Sequence, residues 1–215
     1  MRKTLLQCTD CPRLAEHLAA LRQEFPGYHN QPVLPFGVED PSLLIVGLAP
    51  GKHGANASGR PFTGDYAGIL LYQTLFDAGF SNQATGENAD DGLELYHCRI
   101  SNAVKCLPPE NKPTTAEIKT CNHYLQAELN QLLSAKPDNH LVLALGGIAH
   151  QAVLRACNQP LSSRKFAHNT LHELDNGLRL LNAYHCSRYN TQTRRLTPDM
   201  FRQVFEHAHT LLKIT

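Results

Sequence analysis

Apolar side chains return at helical spacing at Leu14, Leu18, Leu21 and Phe25, and Pro26-Gly27 then breaks the run. A first helix is expected over 14–25. A connector carrying Pro32, Pro35 and Pro41 leads into the unbroken apolar stretch 43–47, the pattern of a strand buried on both faces. Residues 48–64 turn polar and Gly-rich. Helical spacing resumes over 66–78, with Leu70, Leu71, Thr74 and Leu75 assigned to the buried side and Asp65 standing at the N-cap. Residues 81–92 read as loop, and 95–104 as a second strand delivering Asn102 near its end. Pro108-Pro109 and Asn111-Lys112-Pro113 make a stiff turn. Thr114 with Glu117 three residues on is a capping box that opens a helix to residue 133. Further strands are expected at 141–145 and 178–183, with helices over 148–156 and from Thr197-Pro198 onward.

Strands alternating with helices predict the α/β class. The expected architecture is a three-layer α/β/α sandwich around a central, largely parallel four-stranded sheet, with residues 1–215 forming a single domain. In such sheets ligands bind beyond the carboxyl ends of the strands. The loops after Gly47, Val104 and Ala183 should therefore meet at one crevice.

Composition narrows the function. A chain of 215 residues can bury its own core, and 42% hydrophobic with 18% charged residues suits a soluble globular protein. No apolar run approaches the roughly 20 residues that span a bilayer. Cys8, Asp10 and Cys11 interrupt the N-terminus before any signal-type core, so a cytoplasmic protein is expected. A net charge of +1 excludes nucleic-acid binding through overall charge, leaving local arginines and backbone amides to contact phosphate.

The seven cysteines are an odd number without an export signal, which favours metal ligation over disulfides. Cys8 and Cys11 have the two-residue spacing of a chelating pair, and Cys106 with Cys121 supplies a second pair. Four thiolates suit zinc or an iron–sulfur cluster, and spacing leaves both open. Cys98 and Cys157 fit small core residues, whereas Cys186 adjoins His185.

The loop after the first strand carries Gly47, Gly51, Gly54, Gly59 and Gly64, which allow backbone to approach a ligand and expose amide donors. It is neither a Walker loop nor G-x-G-x-x-G. Phe62 in this polar setting is a core anchor or a stacking platform for a planar ligand.

Gly47-Leu-Ala-Pro, His53-Gly-Ala-Asn56 and Ser58-Gly-Arg-Pro-Phe62-Thr-Gly-Asp65 come in order, followed by Asn102-Ala-Val-Lys-Cys106, Pro108-Pro-Glu-Asn-Lys-Pro113 and His185-Cys-Ser187 with Asn190-Thr191 and Arg195-Leu-Thr197. With Cys8-x-x-Cys11-Pro-Arg-Leu, these blocks resemble the uracil-DNA glycosylase superfamily, most closely family 5. Leu48 stands where family 4 usually has an acidic residue.

The resemblance implies a base-excision-repair glycosylase. It would flip uracil, with hypoxanthine or other deaminated bases as further substrates, and hydrolyse its N-glycosidic bond to leave an abasic site in DNA. It also implies a 4Fe–4S cluster on Cys8, Cys11, Cys106 and Cys121 that ties in the N-terminal segment.

Of the catalytic residues, His185 would donate to the developing negative charge on uracil O2. Asn102 would read the O4/N3 edge, and Asn56 would position water or the sugar. Asp65 is the carboxylate rival to Asn56, with an N-cap as its simpler role. Gly47, Ala49, Gly51 and Phe62 would join Asn102 around the base. Arg60, Ser187, Arg188, Tyr189 and Arg195 would meet the DNA, with Arg188 or Tyr189 as the wedge. A monomer is expected. The chain departs from the family at Cys186, where proline is usual, and at Gly51, where alanine is frequent. The rival reading is a non-catalytic four-cysteine module, zinc or cluster, that binds nucleic acid. An esterase is excluded because no Gly-x-Ser-x-Gly elbow is present.

Overall fold

The computed structural model describes residues 5–212. Helix α1, Pro12–Glu24, starts at a proline, which fits the first turn because no N–H is needed there. A two-residue strand β1, Phe36–Gly37, precedes β2, Leu43–Gly47. Next come a one-turn helix α2, Ala55–Ser58, and helix α3, Tyr66–Asp77. Strand β3 is Cys98–Asn102, and the capping box of Thr114 and Glu117 opens α4, Thr115–Ala135. Then follow β4 (Leu141–Leu145), α5 (Gly147–Ala156), β5 (Leu171–Glu173) and β6 (Arg179–Ala183). The short α6, Arg188–Gln192, and the long α7, Pro198–Leu212, complete the order.

The sheet runs β1-β3-β2-β4-β6-β5. Its four central strands are parallel, as expected, but β1 and β5 add antiparallel edges and make it six-stranded. β3 is shorter than the expected 95–104, because Leu95 makes only an isolated bridge to Ser81.

Alternation along the strands separates the two helical layers. Leu43, Ile45, Leu141 and Leu143 pack with Leu71 and Leu75 of α3 and with Phe201, Val204 and Phe205 of α7. Leu44, Val46, Val142 and Ala144 face Leu125 and Leu129 of α4 and Ala152 and Val153 of α5. Leu70, assigned to the buried face of α3, is only partly covered. No helix among the described residues is long and apolar enough to cross a membrane.

A third apolar cluster lies beyond the sheet, where Leu5, Leu14, Val104 and Tyr124 surround Cys8, Cys11, Cys106 and Cys121. Arg13 of α1 donates two 2.7 Å bonds to Glu117 of α4 beside it. The N-terminal helix is thus held against α4 next to the four thiols.

Candidate active site

The β2–β3 register pairs Gly47 with Asn102, so both chains turn out of the sheet at the same level. Beyond this edge lies a cleft of about 320 Å³, whose lining includes Ala49, Gly51, Phe62, Asp65, Asn102 and His185. The three loops expected to converge do converge. Asn111, Ser187 and Arg188 also reach the cleft. Asn111 was not among the expected site residues; its positive φ of 57° inside the proline-rich turn is the local feature that singles it out.

Close backbone approach builds the pocket wall. A Cβ on Gly47 would lie 2.5 Å from Asn102 Oδ1 and 2.9 Å from Phe62 Cζ. Phe62 adopts a positive φ of 57°, and a Cβ on Gly68 would collide with its carbonyl oxygen at 1.7 Å. Strain is therefore accepted where the ring is placed. The Phe62 and His185 rings stand 5.9 Å apart with planes 26° from parallel.

His185 opens onto the cleft but is otherwise enclosed by protein, and burial lowers its pKa to about 4. At neutral pH it is an uncharged ring able to donate one N–H. Asn190 Nδ2 holds the His185 carbonyl at 2.8 Å, and Ser187 caps α6. Cys186, in the usual proline position, is fully buried in the core with Leu196 and Phe201. Packing anchors the loop there.

Asp65 caps α3, its Oδ1 accepting from Gly68 N–H at 2.9 Å. Its Oδ2 faces the glycine loop, where a Cβ on Gly51 would lie 3.5 Å away. Burial raises its pKa.

Two expected site residues are placed elsewhere. Asn56 is fully buried and off the cleft wall. Its amide donates to Asn30 Oδ1 at 2.8 Å, and Asn30 in turn donates to the Leu21 and Phe25 carbonyls of α1. Asn56 therefore clasps the Gly-rich loop to α1. Arg60, expected on phosphate, is buried and gives both terminal nitrogens to Asp91, at 2.8 and 2.6 Å. The guanidinium holds the Asp91 carboxyl well below the usual range.

Breaking a buried pair strands a charge, so Arg60→Ala should destabilise the fold by about 3 kcal/mol in urea titration. Unchanged stability in the variant would return Arg60 to the phosphate-contacting set expected from the sequence.

Arg188 stacks over Tyr66 at 5.0 Å, at the cleft mouth. Tyr189 is 70% exposed beside it. Arg195 lies over Tyr184 at 4.8 Å, in an adjoining groove that shares His185.

The four cysteines line one small pocket whose exposed surface is almost wholly apolar. Burial and then the facing thiols raise Cys11 to about 11 and Cys106 to about 12. Such thiols give up protons only to a strongly cationic partner. Among the described residues, no three His, Cys, Asp or Glu side chains are close enough to hold a single ion. A single tetrahedral zinc would draw the sulfurs to within about 4 Å of one another. A cubane, with one thiolate on each iron, takes a wider set of donors.

The model of the uracil DNA glycosylase superfamily matches residues 34–209. The type-5 uracil-DNA glycosylase of Thermus thermophilus is 41% identical over 97% of this chain and 95% of its own length. That of Mycobacterium leprae is 43% identical over 96% and 92%. That of Mycobacterium tuberculosis is 42% identical over 96% and 79%.

Proposed function

The chain belongs to the uracil-DNA glycosylase superfamily, and from that premise we propose that it hydrolyses the N-glycosidic bond of uracil in DNA as a monofunctional repair enzyme. The observation that carries this reading is the pairing of Asn102 with a half-buried, neutral His185 across a cleft of about 320 Å³. The target base must leave its stack to enter such a cleft. Asn102 presents donor and acceptor to the O4/N3 edge. Phe62 covers the base face, and His185 donates to O2 as negative charge gathers there.

Asp65 holds the attacking water. Its Oδ1 is committed to the helix cap, which leaves Oδ2 facing the glycine loop. Asn56 holds that loop through its amide N–H to Asn30. Arg188, Tyr189, Ser187 and Arg195 meet the DNA as a monomer engages it, Arg188 and Tyr189 being candidates for the wedge. Hypoxanthine is the further deaminated base to try.

Labelled DNA bearing one uracil, treated with the protein and then alkali, should break only at that site. DNA with thymine there should stay intact. Absence of breaks in every uracil context would overturn the reading.

Cys8, Cys11, Cys106 and Cys121 would hold a 4Fe–4S cluster, whose role is to fasten α1 to α4. The purified protein should carry about four irons and absorb broadly in the visible. Cys106→Ser should lose the colour, and Cys157→Ser, outside the pocket, should keep it. Stoichiometric zinc, or full iron in Cys106→Ser, would refute the assignment.

A further inference from the structure

A second groove, of about 560 Å³, opens beside the base cleft and shares Asp65, Tyr66 and Arg188 with it. One wall is the outer face of α3, where Tyr66 and Ile69 are one helical turn apart and 37% and 69% exposed. The other wall is the loop at residues 84–87.

This loop is held in place. Asp91, fixed by Arg60, accepts the Glu87 N–H at 2.7 Å. Gly64 N–H donates to the Gly86 carbonyl, and a Cβ on Gly86 would lie 2.6 Å from the Tyr72 ring. The groove is thus a built feature with an apolar wall at Tyr66 and Ile69, left open at the mouth of the site.

We propose that this groove seats the unpaired base of the nucleotide attached directly to the flipped uracil. The inference rests on the glycosylase reading and deepens it. Covalent continuity is the first argument. A uracil lodged in the cleft fixes its neighbours at the mouth, and this groove begins at that mouth. Charge is the second. Asp65 and Glu87 repel a phosphate, so the part of a nucleotide admitted is the base, with its phosphate left toward Arg188. Tyr66 and Ile69 offer the surface on which any base stacks.

The polar groups add a preference. Glu87 offers only acceptors, whereas Gln73, which gives one amide N–H to Asp77 at 2.9 Å, keeps its carbonyl oxygen and a second N–H. Acceptors favour adenine, cytosine or guanine, which carry exocyclic amino groups, over thymine. The substrate class is therefore uracil in single-stranded or locally opened DNA, read together with one neighbour.

Excision by the full protein can be followed on single-stranded oligonucleotides with an abasic analogue placed 5′ or 3′ of the uracil. On one side the missing base should lower kcat/KM about tenfold, the loss of one stacked base. On the other side it should change little. Thymine on the sensitive side should be the poorest of the four bases. Ile69 is too exposed to carry the fold, so Ile69→Ser should stay folded. It should lose the neighbour dependence and retain wild-type excision of the abasic-flanked substrate. Equal rates on every flank, or a neighbour dependence unchanged in Ile69→Ser, would overturn the groove assignment while leaving the glycosylase intact. No release of uracil from any oligonucleotide would overturn both.

Discussion

His185→Ala is expected to cut single-turnover release of uracil at least about a hundredfold, the usual cost of losing one donor to a developing oxyanion. Binding to undamaged DNA should hardly change, because the ring faces the inside of the cleft and not the backbone of the duplex. The pH profile separates this role from ordinary acid catalysis. Burial lowers the His185 pKa to about 4, so the ring is neutral through the working range. Release should be flat from pH 8 to pH 6 as far as this residue decides it. An imidazolium acid with an ordinary pKa would instead lose activity as pH rose through 6.5. A fall on the acid side belongs to Asp65, whose carboxyl burial makes easier to protonate.

The same shift has a consequence for stability. The unfolded chain protonates this histidine near pH 6.5 and the folded protein only near pH 4. Its contribution is fully present above pH 6.5 and falls as pH drops toward 4, by about 3 kcal/mol in all. His185→Ala should remove this part of the acid sensitivity. Wild-type turnover in the variant would take His185 out of the chemistry.

Much of this was legible in the chain because it depends on short-range pattern. The four central strands and α3, α4, α5 and α7 follow from apolar runs, capping residues and prolines. The converging loops follow from strand direction alone. The two extra strands were not legible. Phe36–Gly37 and Leu171–Glu173 are too short and too exposed to show alternation, and they form because sheet edges offer unpaired backbone groups. The one-turn helices α2 and α6 lie inside loops, and only Ser187 at the second gave a local sign.

Side-chain placement was not legible where a distant partner holds the residue. Nothing near Arg60 in sequence tells a phosphate-binding arginine from one buried on a carboxylate, and Asp91 lies 31 residues away. Asn56 is captured in the same way by Asn30, 26 residues before it. Asp65 illustrates the reverse. Its N-cap was plain from the sequence, but only the fold shows that its second oxygen faces the glycine loop of the cleft.

Gly47→Ala should slow the reaction about a hundredfold with little change in fold. Gly47 ends β2 directly opposite Asn102, and its missing side chain is the space in which the Asn102 amide and the Phe62 ring meet. A Cβ there would stand 2.5 Å from Asn102 Oδ1 and 2.9 Å from the Phe62 ring, closer than such atoms can approach. Phe62 has little freedom to retreat, because its backbone is held at a positive φ against Gly68. Asn102 must therefore move, carrying the base-reading edge off its line by about an ångström. Misplacement on that scale costs about a hundredfold in rate. The strand itself can tolerate alanine, whose β-region backbone matches that of its neighbours, so the melting temperature should fall by only a few degrees, about 1 kcal/mol. The loss should appear in kcat/KM for uracil and leave affinity for undamaged DNA intact. A Gly47→Ala enzyme with wild-type kcat/KM would mean that Asn102 and Phe62 do not define the base pocket together.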